Sequence, residues 1–221
     1  MITPFNIIST MGRIVFPSLL WNFNVKEKII YLTFDDGPIP EITPWVLQQL
    51  RDHNAKATFF CIGDNVARNP EVFKMILRDG HVIGNHSHNH LDGWKTDSKT
   101  YVENVLKAET VIHNFSTIYN RIVPADPSVK KLYRPAFGRI TLSQIKKLEK
   151  HDYKIVMWDV ISGDYDQKKT HQSCLRDVLK YTRPGSILVF HDSVKAFKNL
   201  QRVLPDVLSF YTDEGFEFRG L

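Results

Sequence analysis

From residue 28 onward, short apolar runs alternate with longer stretches whose apolar residues recur every three or four positions. The runs "KIIYLTF" (28–34), "ATFFCIG" (57–63), "HVIGNHS" (81–87), "KLYRPAFG" (131–138), "KIVMWDV" (154–160) and "GSILVFHD" (185–192) have the length and the β-branched and aromatic content of strands. Between them, "PEITPWVLQQLRDHN" places Ile42, Trp45, Val46 and Leu50 on one helical stripe. "NPEVFKMILRDG" reads as a helix with Asn69 as N-cap, Pro70 at its first position and Gly80 as its stop. Further helices are expected at "DSKTYVENVLKAETVIHNFS", "TLSQIKKLEKHD" and "THQSCLRDVLKYT", and a last one near 194–213 leads into "FEFRG". The pattern amounts to roughly seven β-α units, which implies a parallel sheet with helices outside it. The one long irregular connection falls near 119–130, and no linker or low-complexity segment divides the chain. One α/β domain over 28–221 is therefore expected, preceded by an N-terminal extension over 1–27.

The polar residues that matter sit where these strands stop. Asp35 and Asp36 follow the first strand, His86, His88 and His90 the third, Arg134 ends the fourth, Trp158 and Asp164 lie at or after the fifth, and His191 with Asp192 ends the sixth. In a parallel barrel or open α/β sheet, the carboxyl ends of the strands are where sites are built. Adjacent carboxylates repel unless a cation, a shared proton or a basic partner holds them, and successive side chains of an extended segment face opposite ways. One aspartate can thus bind an ion while the other does something else. In "NHSHNH", His86 and His90 are four apart, which on a helical turn brings their Cβ atoms to roughly 6 Å. With one carboxylate they make three protein ligands and an open position, the pattern of a catalytic zinc site. His88 is an alternative nitrogen ligand, and the spacing does not choose. Each residue also has an ordinary structural role open to it: Asp-Asp-Gly-Pro closes turns, and Trp158 on its apolar strand fits a core position better than a substrate platform. Their joint placement at one end of the sheet is what argues for a site.

Composition changes this picture little. The 221 residues carry a formal net charge of +5, but the lysines are scattered and no basic run is interleaved with aromatics. That points to a solvated face with affinity for anionic polymers rather than to a nucleic-acid surface. Cys61 and Cys174 are isolated within a strand pattern and a helix pattern, which excludes a Cys-x-x-Cys metal or redox site. No stretch has the length of a transmembrane helix. The N-terminus begins without basic residues, and its apolar "IVFPSLLW" is broken by Pro17, which argues against a signal peptide. The sequence as given reads as cytoplasmic, or as secreted or cell-envelope if its N-terminus has been trimmed.

"TFDDGP", "GNHSHNH", "YRPAFG", "WDVISGDY" and "ILVFHD" stand in the order and spacing of five motifs, and in these residues the chain resembles the polysaccharide deacetylases, the NodB-homology enzymes of carbohydrate esterase family 4. The resemblance covers roughly 28–221. It implies a distorted (β/α)7 barrel and a metal-dependent hydrolase that removes acetyl groups from N-acetylated amino sugars of poly- or oligosaccharides. It further implies Asp36, His86 and His90 as ligands of a divalent ion, zinc first with cobalt or nickel as alternatives. Asp35 then matches the base, Arg134 the residue holding it, His191 the acid and Asp164 the carboxylate that orients that acid, while the Phe137 backbone N–H falls where the family stabilises the oxyanion. Trp158, Tyr165 and Val189 complete the candidate substrate contacts.

Four positions depart from the family pattern. Phe137 stands where a tyrosine is usual, Tyr165 where a tryptophan follows the aspartate, Ile161 where an aspartate is often found, and Val189 in place of a leucine. Tyr165 and Val189 are expected to shape the pocket for the acetyl methyl. On the expectation of no signal peptide, a small amino-sugar conjugate or a polymer precursor is expected as substrate rather than mature wall polymer. Two alternatives compete with the amidohydrolase: an O-acetyl polysaccharide esterase using the same metal and base, and a non-catalytic metal-dependent carbohydrate-binding protein.

Overall fold

The computed structural model describes residues 12–120 and 131–221; residues 1–11 and most of the irregular connection expected near 119–130 lie outside them. Among the described residues there are eight strands: β1 Ile29–Asp35, β2 Thr58–Cys61, β3 Val82–Asn85, β4 Lys131–Tyr133, β5 Tyr153–Ile155, β6 Val160–Ile161, β7 Ile187–His191 and β8 Glu217–Arg219. The helices are α1 Ile42–Asp52, α2 Gly63–Arg68, α3 Pro70–Arg78, α4 Ser98–Asn120, α5 Leu142–Glu149, α6 His171–Tyr181 and α7 Phe197–Asp213, with a 3-10 turn over Ala136–Gly138. The strands form one sheet in the order β5-β4-β3-β2-β1-β7-β6, and every pairing is parallel. β8 pairs with β1 over Ile29–Tyr31, and β2 pairs with β1 over Thr33–Asp35. No helix among the described residues is long and apolar enough to cross a membrane.

The run at 154–160, expected as one strand, is two strands on opposite edges of the sheet. From Ile155 to Val160 the chain reaches about 17 Å at full extension, so the two edges must curl toward each other. The N-terminal segment fills the seam. Leu20 N–H donates to Ile155 O (2.9 Å) and Met157 N–H to Leu20 O (2.7 Å), while Phe23 N–H donates to Gly185 O (2.9 Å). Gly185 is a glycine for two reasons: its φ is +83°, and a Cβ there would overlap the Phe23 carbonyl. Val156 and Met157 give their carbonyls to Arg134, and the Asp159 carboxylate accepts the Ile187 N–H (2.9 Å), so side chains take over bonds that a continuous strand would have made.

Strand alternation divides the core in two. On β1, Ile30, Leu32 and Phe34 face the helices with Leu47, Leu50, Leu204 and Leu208. Tyr31 packs in the barrel interior with Phe60 and Ile187. Thr33 and Asp35 follow on that interior face, and period two carries polar side chains toward the mouth. At α3 the expected start holds, but the Asn69 carboxamide makes no cap bond; it donates to Pro38 O (3.2 Å) and Asn65 O (3.1 Å), tying the helix to the loop after β1. Both cysteines are free and buried.

Trp21, within the expected extension, is buried in a cluster with Leu19, Tyr101, Tyr133 and Tyr153, and its indole N–H donates to Phe16 O (3.1 Å). Trp21→Ala should lose about 3–5 kcal/mol, as a core aromatic does, measured by urea unfolding. A loss below about 1 kcal/mol, the range of ordinary surface changes, would mean the segment is appended to the barrel rather than part of its wall.

Candidate metal and hydrolytic site

The turn after β1 separates its two carboxylates. Asp35 ends the strand on its interior face, and Asp36 then takes a φ of 85°, which swings its side chain out of the strand's alternation. Asp192, directly after β7, braces the turn. Its N–H donates to Asp35 O (3.1 Å), its Oδ1 accepts the Gly37 N–H (3.0 Å), and its Oδ2 accepts the Thr43 hydroxyl (2.5 Å). Gly37 has to be a glycine because a Cβ would overlap the Asp192 carboxylate. Burial, with the charge of Asp36 behind it, pushes Asp192 up to about 8 despite the bonds from Thr43 and Gly37. Asn65 adds a bond from its carboxamide to Asp36 O (2.7 Å). Sequence pattern gives Thr43 and Asn65 no role and marks Asp192 only as the neighbour of His191; the adjacent His-Asp pair at a strand end is the one signal that could have found the brace.

Asp36, His86 and His90 each offer a ligand atom, and these atoms lie within 4.8 Å of one another. Asp36 Oδ1 is 3.7 Å from His86 Nε2 and 3.4 Å from His90 Nε2. His86 Nδ1 sits 2.8 Å from Arg134 O, which makes Nδ1 the protonated nitrogen and leaves the Nε2 lone pair facing Asp36. Burial, then the neighbouring His90, lowers His86 to about 3, so its imidazole is neutral, the form that binds a metal. Asp36 Oδ1 is buried with no hydrogen-bond partner. A carboxylate oxygen in that state is costly unless a cation answers it. The residues fit a divalent ion with three protein ligands and room for others.

The two histidines meet without the helical turn that their spacing suggested. Residues 86–90 form a loop with left-handed φ at Ser87 (65°) and His90 (54°). Asn85 Oδ1 accepts the Ser87 N–H (2.8 Å), and Asn104 Oδ1 accepts the N–H groups of His88 (2.8 Å) and Asn89 (3.0 Å). This geometry turns His88 away from the cluster and against Gly63, where it is buried beside Ala108.

Two ion pairs flank the ligand set. Arg134, with no exposed surface, donates from Nη1 to Asp35 Oδ1 (2.7 Å) and to Thr33 Oγ1 (2.7 Å). His191 Nδ1 lies 2.8 Å from Asp164 Oδ1, and Asp164 Oδ2 accepts the His191 N–H (2.9 Å). Burial opposes a charged His191, but the charge and hydrogen bond of Asp164, with Asp36 and Asp35 beyond, outweigh it and raise the histidine to about 9. Asp164 is itself placed by Asn199, whose carboxamide donates to its backbone carbonyl (3.2 Å).

All of this opens on one cavity of about 460 Å³, lined by Asp35, Asp36, His86, His90, Phe137, Trp158, Ile161, Tyr165 and His191, with Ser193 and Lys195 at its edge. Phe137 holds a φ of 57° within the 3-10 turn, and its exposed ring meets His90 edge-on at 4.5 Å. Trp158 does reach the cavity, near Arg134 (5.8 Å from guanidinium to ring). Tyr165 packs edge-on against His191 at 4.8 Å. Val189 is fully buried and outside the cavity wall; its partner across the ladder, Ile161, lines the cavity instead.

A family model described as polysaccharide deacetylase matches residues 23–156. A peptidoglycan-N-acetylglucosamine deacetylase of Bacillus cereus is 35% identical over 164 residues, which cover 74% of this chain and 56% of that protein. A second B. cereus protein of the same name is 32% identical over 201 residues, covering 90% of this chain and 88% of its own length. The chain thus spans little more than half of the first relative and most of the second. Among solved structures, the Bc1960 peptidoglycan N-acetylglucosamine deacetylase in complex with 4-naphthalen-1-yl-N-oxidanyl-benzamide superposes with a TM-score of 0.82 at 28% identity, covering 92% of this chain and 91% of that one. The chain belongs to the polysaccharide deacetylase family.

Proposed function

We propose that this protein hydrolyses the acetamide of N-acetylated amino sugars in a saccharide, with a divalent ion, zinc, held by Asp36, His86 and His90. One observation carries the reading: Asp35, held from behind by Arg134, and His191, held from behind by Asp164, line the same cavity as the candidate ligand set. The names of the relatives support the same substrate class.

An ion in this site would polarise the acetyl carbonyl and acidify a water molecule. Asp35 takes a proton from the attacking water, and the Arg134 guanidinium, 2.7 Å away, holds its carboxylate in place for that task. The Phe137 N–H donates to the carbonyl oxygen as negative charge develops there. His191, its Nδ1 engaged by Asp164, presents Nε2–H to the amide nitrogen. The C–N bond breaks as that proton transfers, giving acetate and a free amine. A carbohydrate-binding protein without turnover would need neither supported pair.

The reading is tested by acetate release from a panel of N-acetyl and O-acetyl saccharides, with chelator and with zinc added back. Release from N-acetyl sugars that stops on chelation is expected; release from O-acetyl sugars alone would replace the amidase with an esterase. Asp35→Asn should lose roughly 10²–10⁴-fold in turnover, the range for a positioned general base, and turnover near wild type would remove its role.

His191 supplies a pH test. In the metal-free protein its ring should titrate near 9 by NMR, and Asp164→Asn should move that value down. Amide turnover should fall as pH rises through the His191 value, because the neutral ring has no proton to give. His191→Ala should hurt the amide far more than an activated ester, whose leaving group needs less help; equal losses would count against an acid role.

Metal affinity separates the histidines. By calorimetry, His90→Ala should sharply weaken zinc binding and His88→Ala should leave it, since only the first lies in the cluster. The reverse result would reassign the ligand set.

A further inference from the structure

One exposed aromatic side chain, beside the cavity-lining Arg139, has no part in the chemistry above. Trp94 is 66% exposed, on the loop between His90 and α4. The loop is held firmly. Gln144, buried, donates from its carboxamide to Gly93 O (2.8 Å) and Thr96 O (3.1 Å). The Trp94 N–H donates to Asp92 Oδ1 (3.0 Å), and the Thr96 hydroxyl donates to Asp92 O (2.8 Å). Arg139 pairs with Asp92 at 2.6 Å and carries its guanidinium 5.1 Å from the Trp94 ring and 5.8 Å from the Phe137 ring. Phe137 is 61% exposed, and both it and Arg139 line the cavity.

The rings of Trp94 and Phe137 thus flank one cation, the cavity-lining Arg139, and the loop that carries Trp94 is tied down by hydrogen bonds before any ligand arrives. Exposed apolar area of this kind contributes nothing to the core, and where it adjoins a cavity it marks a binding surface. A pre-ordered tryptophan beside an arginine is the composition of a binding hot spot, and its rigidity lowers the entropy lost on binding. A pyranose ring suits it: one face is a set of C–H groups that lie against a π-surface, while the hydroxyls at its edge can accept from Arg139.

We infer that Trp94, Arg139 and Phe137 form a platform for the sugar ring next to the one whose acetyl group enters the cavity, so that the protein selects saccharide chains over single sugars. The saccharide identity of the ligand rests on the proposed function; the platform itself rests on the exposed rings and on the cavity-lining Arg139 that lies against both.

The test compares the affinities of free N-acetylglucosamine and a soluble N-acetylglucosamine oligosaccharide, by calorimetry, for the wild-type chain, Trp94→Ala and Trp94→Phe, with acetate release followed in parallel. Trp94→Ala should cut the preference for the oligosaccharide about tenfold, which corresponds to about 1.4 kcal/mol, and Trp94→Phe should restore most of it. An unchanged preference in Trp94→Ala, equal weakening of both ligands, or no binding of either overturns the platform. Acetate release with an unchanged preference removes the platform and leaves the deacetylase standing. A Trp94-dependent preference without acetate release from any N-acetyl saccharide does the opposite.

Discussion

A guanidinium with no solvent-exposed surface is the constraint around which the strand ends are arranged. Arg134 enters from the end of β4 and reaches across to β1, where Asp35 and Thr33 accept from Nη1. Nη2 donates to Met157 O (3.1 Å), and the cation lies 4.1 Å from the Phe60 ring centre. A buried cation of this kind is tolerable only with a charged partner and filled hydrogen bonds; removing one partner typically costs about 3–5 kcal/mol because it strands the other charge. The same residue offers its backbone carbonyl to His86 Nδ1 and so selects the tautomer of a candidate ligand. One residue thus links the sheet interior, the seam after β5, the candidate base and the metal set.

The adjacent aspartates follow from this. Asp35 stays on the alternation of β1 and is drawn inward to Arg134, while the left-handed turn at Asp36 sends the next carboxylate toward the two histidines. The turn is stable because Asp192 fills the space that any side chain at residue 37 would need. Two like charges can be neighbours in sequence because each has a different positive partner: a guanidinium for one, a site shaped for a cation for the other. On the far side of the cavity, Asp164 and Asn199 hold His191 in a similar manner, a carboxylate fixing a ring and an amide fixing the backbone of the residue that carries the carboxylate.

The parallel sheet with outer helices was legible because burial imposes periods that a local window records: Ile30, Leu32 and Phe34 alternate outward, and the helical stripe at Ile42, Val46 and Leu50 is buried in α1. That a strand-end aspartate and histidines converge was legible from strand-end placement, while the set Asp36, His86 and His90 came from the family resemblance, and the loop that joins the histidines is not the helical turn their spacing suggested. What escaped was non-local. The run at 154–160 has one apolar pattern, yet it breaks because Arg134 and Leu20 claim its backbone groups from distant parts of the chain. Residues 19–23 read as an extension because too few of them show any period, whereas the seam they fill exists only once the barrel has curled. Val189, expected at the acetyl pocket, is buried outside the cavity wall while its ladder partner Ile161 lines it, and the register between β6 and β7 that pairs them is not a local pattern. The Asp192 brace joins side chains 149 residues apart, Thr43 among them, and has no local signature.

The division of labour between the two aspartates is the centre of this account, and zinc stoichiometry of two single variants tests it most directly. Asp35→Asn should bind one zinc per chain like the wild type, and Asp36→Asn should lose it, each measured by metal analysis after dialysis with the fold checked by circular dichroism. Loss of zinc from a folded Asp35→Asn protein, or its full retention in Asp36→Asn, would contradict the account.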